Sequence, residues 1–100
     1  MMIYVVATAS VKPDMRATFK QGAGACIAAT RREEGCLLYD LHESITDPTR
    51  FVFVEQWTSR EALGAHGRAE HMREWRKIVK ECVSAPTKIE IITPANVETL

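Results

Sequence analysis

The chain has 100 residues, with 13 Lys and Arg set against 13 Asp and Glu, for a formal charge of zero. That length makes one domain with a core that is only just adequate, so help from a second copy is expected. Balanced charge argues against a nucleic-acid partner and removes the main attraction to an anionic membrane, and no apolar run approaches the ~20 residues of a membrane span.

Residues 3–11, Ile-Tyr-Val-Val-Ala-Thr-Ala-Ser-Val, are apolar and largely β-branched, which predicts a strand buried on both faces. Pro13 suits the first turn of a helix, and Met15, Phe19, Ala23, Cys26, Ile27 and Thr30 then recur at helical spacing. Gly35 is a left-handed stop for that helix. Gly22-Ala-Gly24 has no strand before it and no third glycine in register, so it predicts a close helix–sheet approach or a slight weakening of the helix rather than a phosphate loop.

Residues 36–45 and 51–57 predict two strands joined by the turn Asp47-Pro48-Thr49-Arg50. Phe51, Phe53, Glu55 and Trp57 share one face of the second strand, while Leu37, Tyr39, Leu41 and Glu43 share one face of the first. Thr58-Ser-Arg-Glu61 has the form of a capping box with Thr58 as N-cap. It opens a short helix broken at Gly67, followed by a longer helix from about residue 68 to 83 with Met72, Trp75, Ile78 or Val79, and Cys82 on its apolar stripe. Lys88–Thr93 predicts a last strand, and residues 94–100 a polar arm on this single domain.

Strand, helix, strand, strand, helix, strand is the order of an α+β, ferredoxin-like βαββαβ fold with a four-stranded antiparallel sheet. Helices cover one face of such a sheet. The other apolar face predicts a homodimer joined through the sheets.

The chemistry concentrates in residues 34–75. His66 and His71 are candidate general bases, because histidine is the side-chain type suited to acid–base work near neutral pH without heavy tuning. Five residues apart, they point ~140° from each other on an ideal helix, so their convergence requires the break at Gly67. The competing reading is one core-edge and one helix-end histidine without catalysis. Glu55, alone among Phe51, Phe53 and Trp57, needs a partner if buried: it either holds a histidine or arginine, or acts as an acid–base group with a raised pKa. Trp57, Phe53, Tyr39, Trp75 and Met72 are candidate walls for a flat aromatic ligand, or simply core.

Two histidines with Glu55 make a conceivable ligand set. The His-x4-His spacing fits neither one helix face nor a zinc finger, so no metal is expected. Three unclustered cysteines, Cys26, Cys36 and Cys82, suit neither disulfides nor zinc and predict buried thiols. Met1-Met2-Ile3-Tyr4 lacks the features of a secretory signal, and a cytoplasmic location is expected.

Glu34-Gly-Cys-Leu-Leu-Tyr39, Asp47-Pro48, Phe51-Val-Phe-Val-Glu-Gln-Trp57, Ser59-Arg-Glu-Ala-Leu-Gly-Ala-His66 and His71-Met72 together resemble the antibiotic biosynthesis monooxygenase (ABM) domain. The resemblance covers essentially the whole chain. It implies a dimeric α+β barrel with a pocket in each protomer between sheet and helices. Its members include cofactor-independent monooxygenases of quinols and polyketide phenols, haem-degrading enzymes and a sugar-phosphate isomerase. The haem-degrading pattern is broken here: Val6-Ala7-Thr8-Ala9 offers no Asn, His66 stands where those members carry Trp, and their haem ligand falls near Arg76. Glu70-His71 replaces a frequent Pro-His pair. The expected activity is oxidation of a small hydroquinone or polycyclic phenol by O₂ without a cofactor, with His66 or His71 as base. The alternative is an isomerase or a non-catalytic binding protein using the same pocket.

Overall fold

Alternating apolar residues build a sheet whose inner face carries the largest side chains. The computed structural model describes residues 1–100. In chain order the elements are β1 (Ile3–Ser10), α1 (Arg16–Thr30), β2 (Cys36–Glu43), β3 (Arg50–Trp57), α2 (Arg60–Arg68), α3 (Glu70–Cys82) and β4 (Lys88–Ile92). A short 3₁₀ turn, Pro13–Met15, leads into α1. All strand pairs are antiparallel in the order β2-β3-β1-β4, the ferredoxin-like arrangement the sequence predicts. Within one chain the sheet is open, with β2 and β4 at its edges.

Ile3, Val5, Ala7 and Ala9 of β1 register against Trp57, Glu55, Phe53 and Phe51 of β3 and form the buried face. Phe19 of α1 packs on Phe51 with ring centroids 5.1 Å apart and on Trp75 of α3 at 5.0 Å. Each of these side chains contributes about 1.5–3 kcal/mol by leaving water. The other face of β1, Tyr4, Val6 and Thr8, is only half-buried, so the strand is covered on one side and not on both.

Several local expectations change. A bulge between Cys36 and Leu38 brings Cys36 to the position opposite Trp57 and leaves Leu37 54% exposed. Tyr39, opposite Glu55, stays buried. The extra residue also leaves Cys36 half-buried, while Cys26 and Cys82 are buried as expected. Ser59, not Thr58, caps α2, its hydroxyl accepting from the Ala62 amide at 3.1 Å. Thr58 is instead tied to the preceding turn, its amide donating to the Gly35 carbonyl at 2.9 Å.

Gly67 lies inside α2, and the helices part at Ala69, whose ψ of 146° is extended. Gly22 does mark a close approach, but between helices: a Cβ there would stand 2.9 Å from Ile78 Cδ1 of α3. Gly35 is left-handed as expected, with φ +90°. No helix is long and apolar enough to cross a membrane.

Candidate active site

A cavity of about 470 Å³ lies between the inner sheet face and the helices. Its wall includes Val5, Ala7 and Ala9 of β1, Ile89 and Ile91 of β4, and Tyr39, Phe53, Met72 and Trp75. These last four are residues the sequence marks as ligand walls. Trp57 is not in the wall; it is fully buried behind it. Against this apolar lining stand a few polar groups: Glu55, His66, Arg60, Arg76 and Thr87.

His66 comes from the last turn of α2 and His71 from the first turn of α3. The extended Ala69 between them turns the chain, and both imidazoles meet one carboxylate oxygen. Glu33 Oε2 lies 2.7 Å from His66 Nδ1 and 2.8 Å from His71 Nε2. The buried hydroxyl of Thr30 sits 3.2 Å from the same His71 nitrogen. An ionised carboxylate only accepts, so each imidazole presents an N–H to it. That assigns the proton of a neutral His66 to Nδ1 and leaves Nε2 unprotonated, on a ring that forms part of the cavity wall. The ring is held by Trp57, at a centroid distance of 4.6 Å, and by Tyr39 at 5.3 Å.

Burial is the main influence on His66 and pulls its pKa below the ordinary 6.5; the Glu33 contact opposes this, while His71 and Arg76 add to it. His66 is therefore a neutral base at physiological pH. His71 is outside the cavity wall and is linked through Glu33 to His66, which is in it.

Glu55 does not meet either histidine. Its Oε1 accepts from Trp57 Nε1 at 2.9 Å. Burial lifts its pKa above 4.5, the Trp57 bond opposing and Glu33 reinforcing. A protonated Glu55 in the wall can donate its hydroxyl toward a ligand. Tyr39 is pushed strongly upward by burial and stays a neutral phenol. Its hydroxyl lies 3.8 Å from Cys26 Sγ, which in turn is 3.7 Å from Met72 Sδ.

Glu33 is the residue that sequence reasoning misses. It lies in the turn closing α1, its amide donating to the Thr30 carbonyl at 2.9 Å and its carbonyl accepting from Cys36 at 3.2 Å. No periodicity marks such a position. The available signal is its place two residues before the left-handed Gly35, together with the need of two inward histidines for an acceptor. Glu33, not Glu55, also completes the only histidine–carboxylate group with metal-ligand character, its donor atoms all within 4.8 Å of one another. Here those atoms are linked to each other by hydrogen bonds.

The family profile described as antibiotic biosynthesis monooxygenase matches residues 2–78. The chain belongs to the ABM family. As an ABM chain it is 34% identical over 92 residues to "Putative monooxygenase Rv0793" of Mycobacterium tuberculosis, covering 92% of this chain and 90% of that protein. The solved structure of Rv0793 superimposes with a TM-score of 0.92 over 99% of this chain and 100% of that one, at 30% identity. "Putative monooxygenase YcnE" of Bacillus subtilis is 33% identical over 88% of this chain and 93% of its own length. A structure described as a "Putative antibiotic biosynthesis monooxygenase from Nitrosomonas europaea" gives a TM-score of 0.90 at 32% identity, covering 94% of this ABM chain and 90% of the other.

Proposed function

We propose that this ABM-family protein is a cofactor-independent monooxygenase of a small hydroquinone or polycyclic phenol. The observation that carries the reading is the Glu33–His66 pair: a base fixed by a carboxylate at Nδ1, on a ring that forms part of the wall of a largely apolar, aromatic cavity. His66 Nε2 takes a phenolic proton, and the resulting anion is electron-rich enough to react with O₂ directly. The electrons come from the substrate. A hydroquinone and O₂ give a hydroxyquinone and water: one oxygen atom enters the ring, and the other leaves with two substrate hydrogens.

Phe53, Tyr39, Trp75 and Met72 hold the ring system and exclude water, and Glu55, whose pKa burial raises, offers a hydrogen bond to a developing oxygen anion when its carboxyl carries a proton. Proton transfer of this kind is worth about 10²–10⁴-fold, and the reactivity of the substrate supplies the rest. His71 acts through Glu33 as a positioning residue.

The same reading includes a homodimer. Tyr4, Val6, Val52, Val54, Leu38 and Ile92 lie on the sheet face away from the helices, and a second copy would cover them.

The test is oxygen uptake with a panel of hydroquinones and naphthols, comparing the intact protein with His66→Ala. Uptake above the uncatalysed rate that falls by about 10²-fold or more in the variant supports the reading. Substrate consumption that proceeds equally without O₂ would point to an isomerase instead.

A further inference from the structure

Three exposed arginines, Arg60, Arg68 and Arg76, gather on the helix side of the cavity. Arg60 and Arg76 are part of the wall. Gly64, also in the wall, lies under two guanidinium groups: a Cβ there would stand 3.4 Å from Arg68 Nη1 and 3.8 Å from Arg60 Nη1. Arg76 donates through Nη1 to the Gly67 carbonyl at 3.1 Å, which fixes its guanidinium beside α2 and leaves its other N–H groups uncommitted. The ion pairs of the chain involve none of the three.

No group of the wall pairs with them. Its one carboxyl group, Glu55, is committed to Trp57 Nε1, and burial raises its pKa. Glu33 is outside the wall and occupied by two imidazoles. An otherwise apolar cavity thus carries an edge of arginines with no ion-pair partner. Such an edge attracts an anion, and the flat fork of a guanidinium matches a carboxylate through two parallel hydrogen bonds.

We propose that the cavity takes an aromatic substrate bearing a carboxylate, its ring system against Tyr39, Phe53 and Trp75 and its carboxylate on Arg60 and Arg76. This rests on the cavity being the substrate site, and it narrows the phenols of the proposed reaction to aromatic hydroxy acids. The arginines also favour the anion formed when a ring hydroxyl of the substrate loses its proton.

The experiment is an equilibrium titration of the full chain, with oxygen excluded, using 6-hydroxy-2-naphthoate, 2-naphthol and 2-naphthyl phosphate. Naphthoate is expected to bind about tenfold tighter than naphthol at low salt, the scale of one or two charge-assisted hydrogen bonds, with the margin shrinking as salt rises. The double variant Arg60→Met/Arg76→Met is expected to lose the preference. Arg73→Met, on the exposed side of α3 outside the wall, is expected to keep it. Melting curves of the variants establish that they are folded.

Equal or weaker binding of naphthoate in the intact protein overturns the proposal, as does a preference that survives in the double variant. Tighter binding of the phosphate than of the naphthoate overturns the choice of carboxylate. The two readings fail separately. An acid preference without any oxygen chemistry sinks the oxygenase and leaves this inference standing, whereas oxygen uptake with neutral quinols and no acid preference does the reverse.

Discussion

Glu33 Oε2 and His66 Nδ1, 2.7 Å apart, join the turn after α1 to the end of α2 and set the protonation of a wall residue of the cavity. The same oxygen receives His71 at 2.8 Å, so one carboxylate holds imidazoles from two separate helices. The chain achieves this because Gly35 closes the turn beside Glu33 and the extended Ala69 swings His71 back toward His66.

Glu33→Gln tests that arrangement. An amide can accept from one imidazole but also presents an NH₂, so His66 loses the partner that fixes its proton on Nδ1. Turnover is expected to drop by about 10²-fold with a smaller change in KM, because the lost interaction orients a base rather than binding substrate. The imidazole nitrogen signals of His66 in an NMR spectrum should show a mixture of tautomers. A variant with normal turnover and an unchanged spectrum would remove Glu33 from the mechanism.

The architecture was legible in the sequence because period-two and helical patterns reflect burial directly. Phe51, Phe53, Glu55 and Trp57 fall on one face, and Phe19, Ala23 and Cys26 on one helix stripe. The site was only half legible. His66 and His71 stand out by residue type, but their acceptor is an ordinary Glu in a turn, brought near by tertiary folding alone. Of the two readings of Glu55, the histidine or arginine partner is absent for a related reason: on the strand, Trp57 two residues away lies on the same face and supplies the hydrogen bond. The bulge at Leu37 and the Ser59 cap depend on local hydrogen bonding that a pattern of apolar residues does not record.

Gly35→Ala links stability to activity. The residue has φ +90°, and a Cβ would lie 2.7 Å from Ala62 Cβ and 2.8 Å from Thr58 Oγ1. Backbone strain and overlap together are expected to cost about 1–3 kcal/mol. Thermal unfolding should show a fall of several degrees, roughly 4–8 °C per kcal/mol for a domain of this size. The displaced turn carries Glu33, so the folded fraction should also lose turnover. A fall in melting temperature with full activity would show that the turn and the site are independent.

Glu55 makes stability depend on pH in a definite direction. Its folded pKa is raised above 4.5, chiefly by burial. Below 4.5 the carboxyl is protonated in both folded and unfolded chains, and the contribution is fully present. As pH rises through the folded pKa, the unfolded chain gains by ionising more readily, and this contribution is lost. Glu55→Gln keeps an acceptor for Trp57 Nε1 and removes the titration. The variant should gain stability relative to the parent as pH rises from 4.5 toward neutrality. Denaturant midpoints across that range decide the matter, and a constant difference would argue against a raised pKa.

Val54 lies at the centre of the outer sheet face, opposite Val6 of β1 and Asp40 of β2. Val54→Lys places a charge where two copies are proposed to meet. Light scattering coupled to gel filtration is expected to give the mass of a dimer for the parent and a monomer for the variant. A parent that is monomeric at every concentration would leave this face without its proposed partner.

The pH profile of kcat/KM separates His66 from other candidate bases. A neutral imidazole is required, so the rate must fall as the ring gains its proton on the acid side. Burial places that pKa below 6.5, hence the acid limb should lie below 6.5 and the rate should be flat through neutrality. Glu33 opposes the effect of burial by favouring the imidazolium. Removing its charge in Glu33→Gln should therefore move the limb to still lower pH, while the plateau drops. These two changes run in opposite directions, since the variant tolerates acid better but turns over more slowly. A general loss of folding would lower the plateau and leave the limb in place or raise it. A limb above 6.5, or one that shifts upward in the variant, would exclude His66 as the base and direct attention to another titrating group.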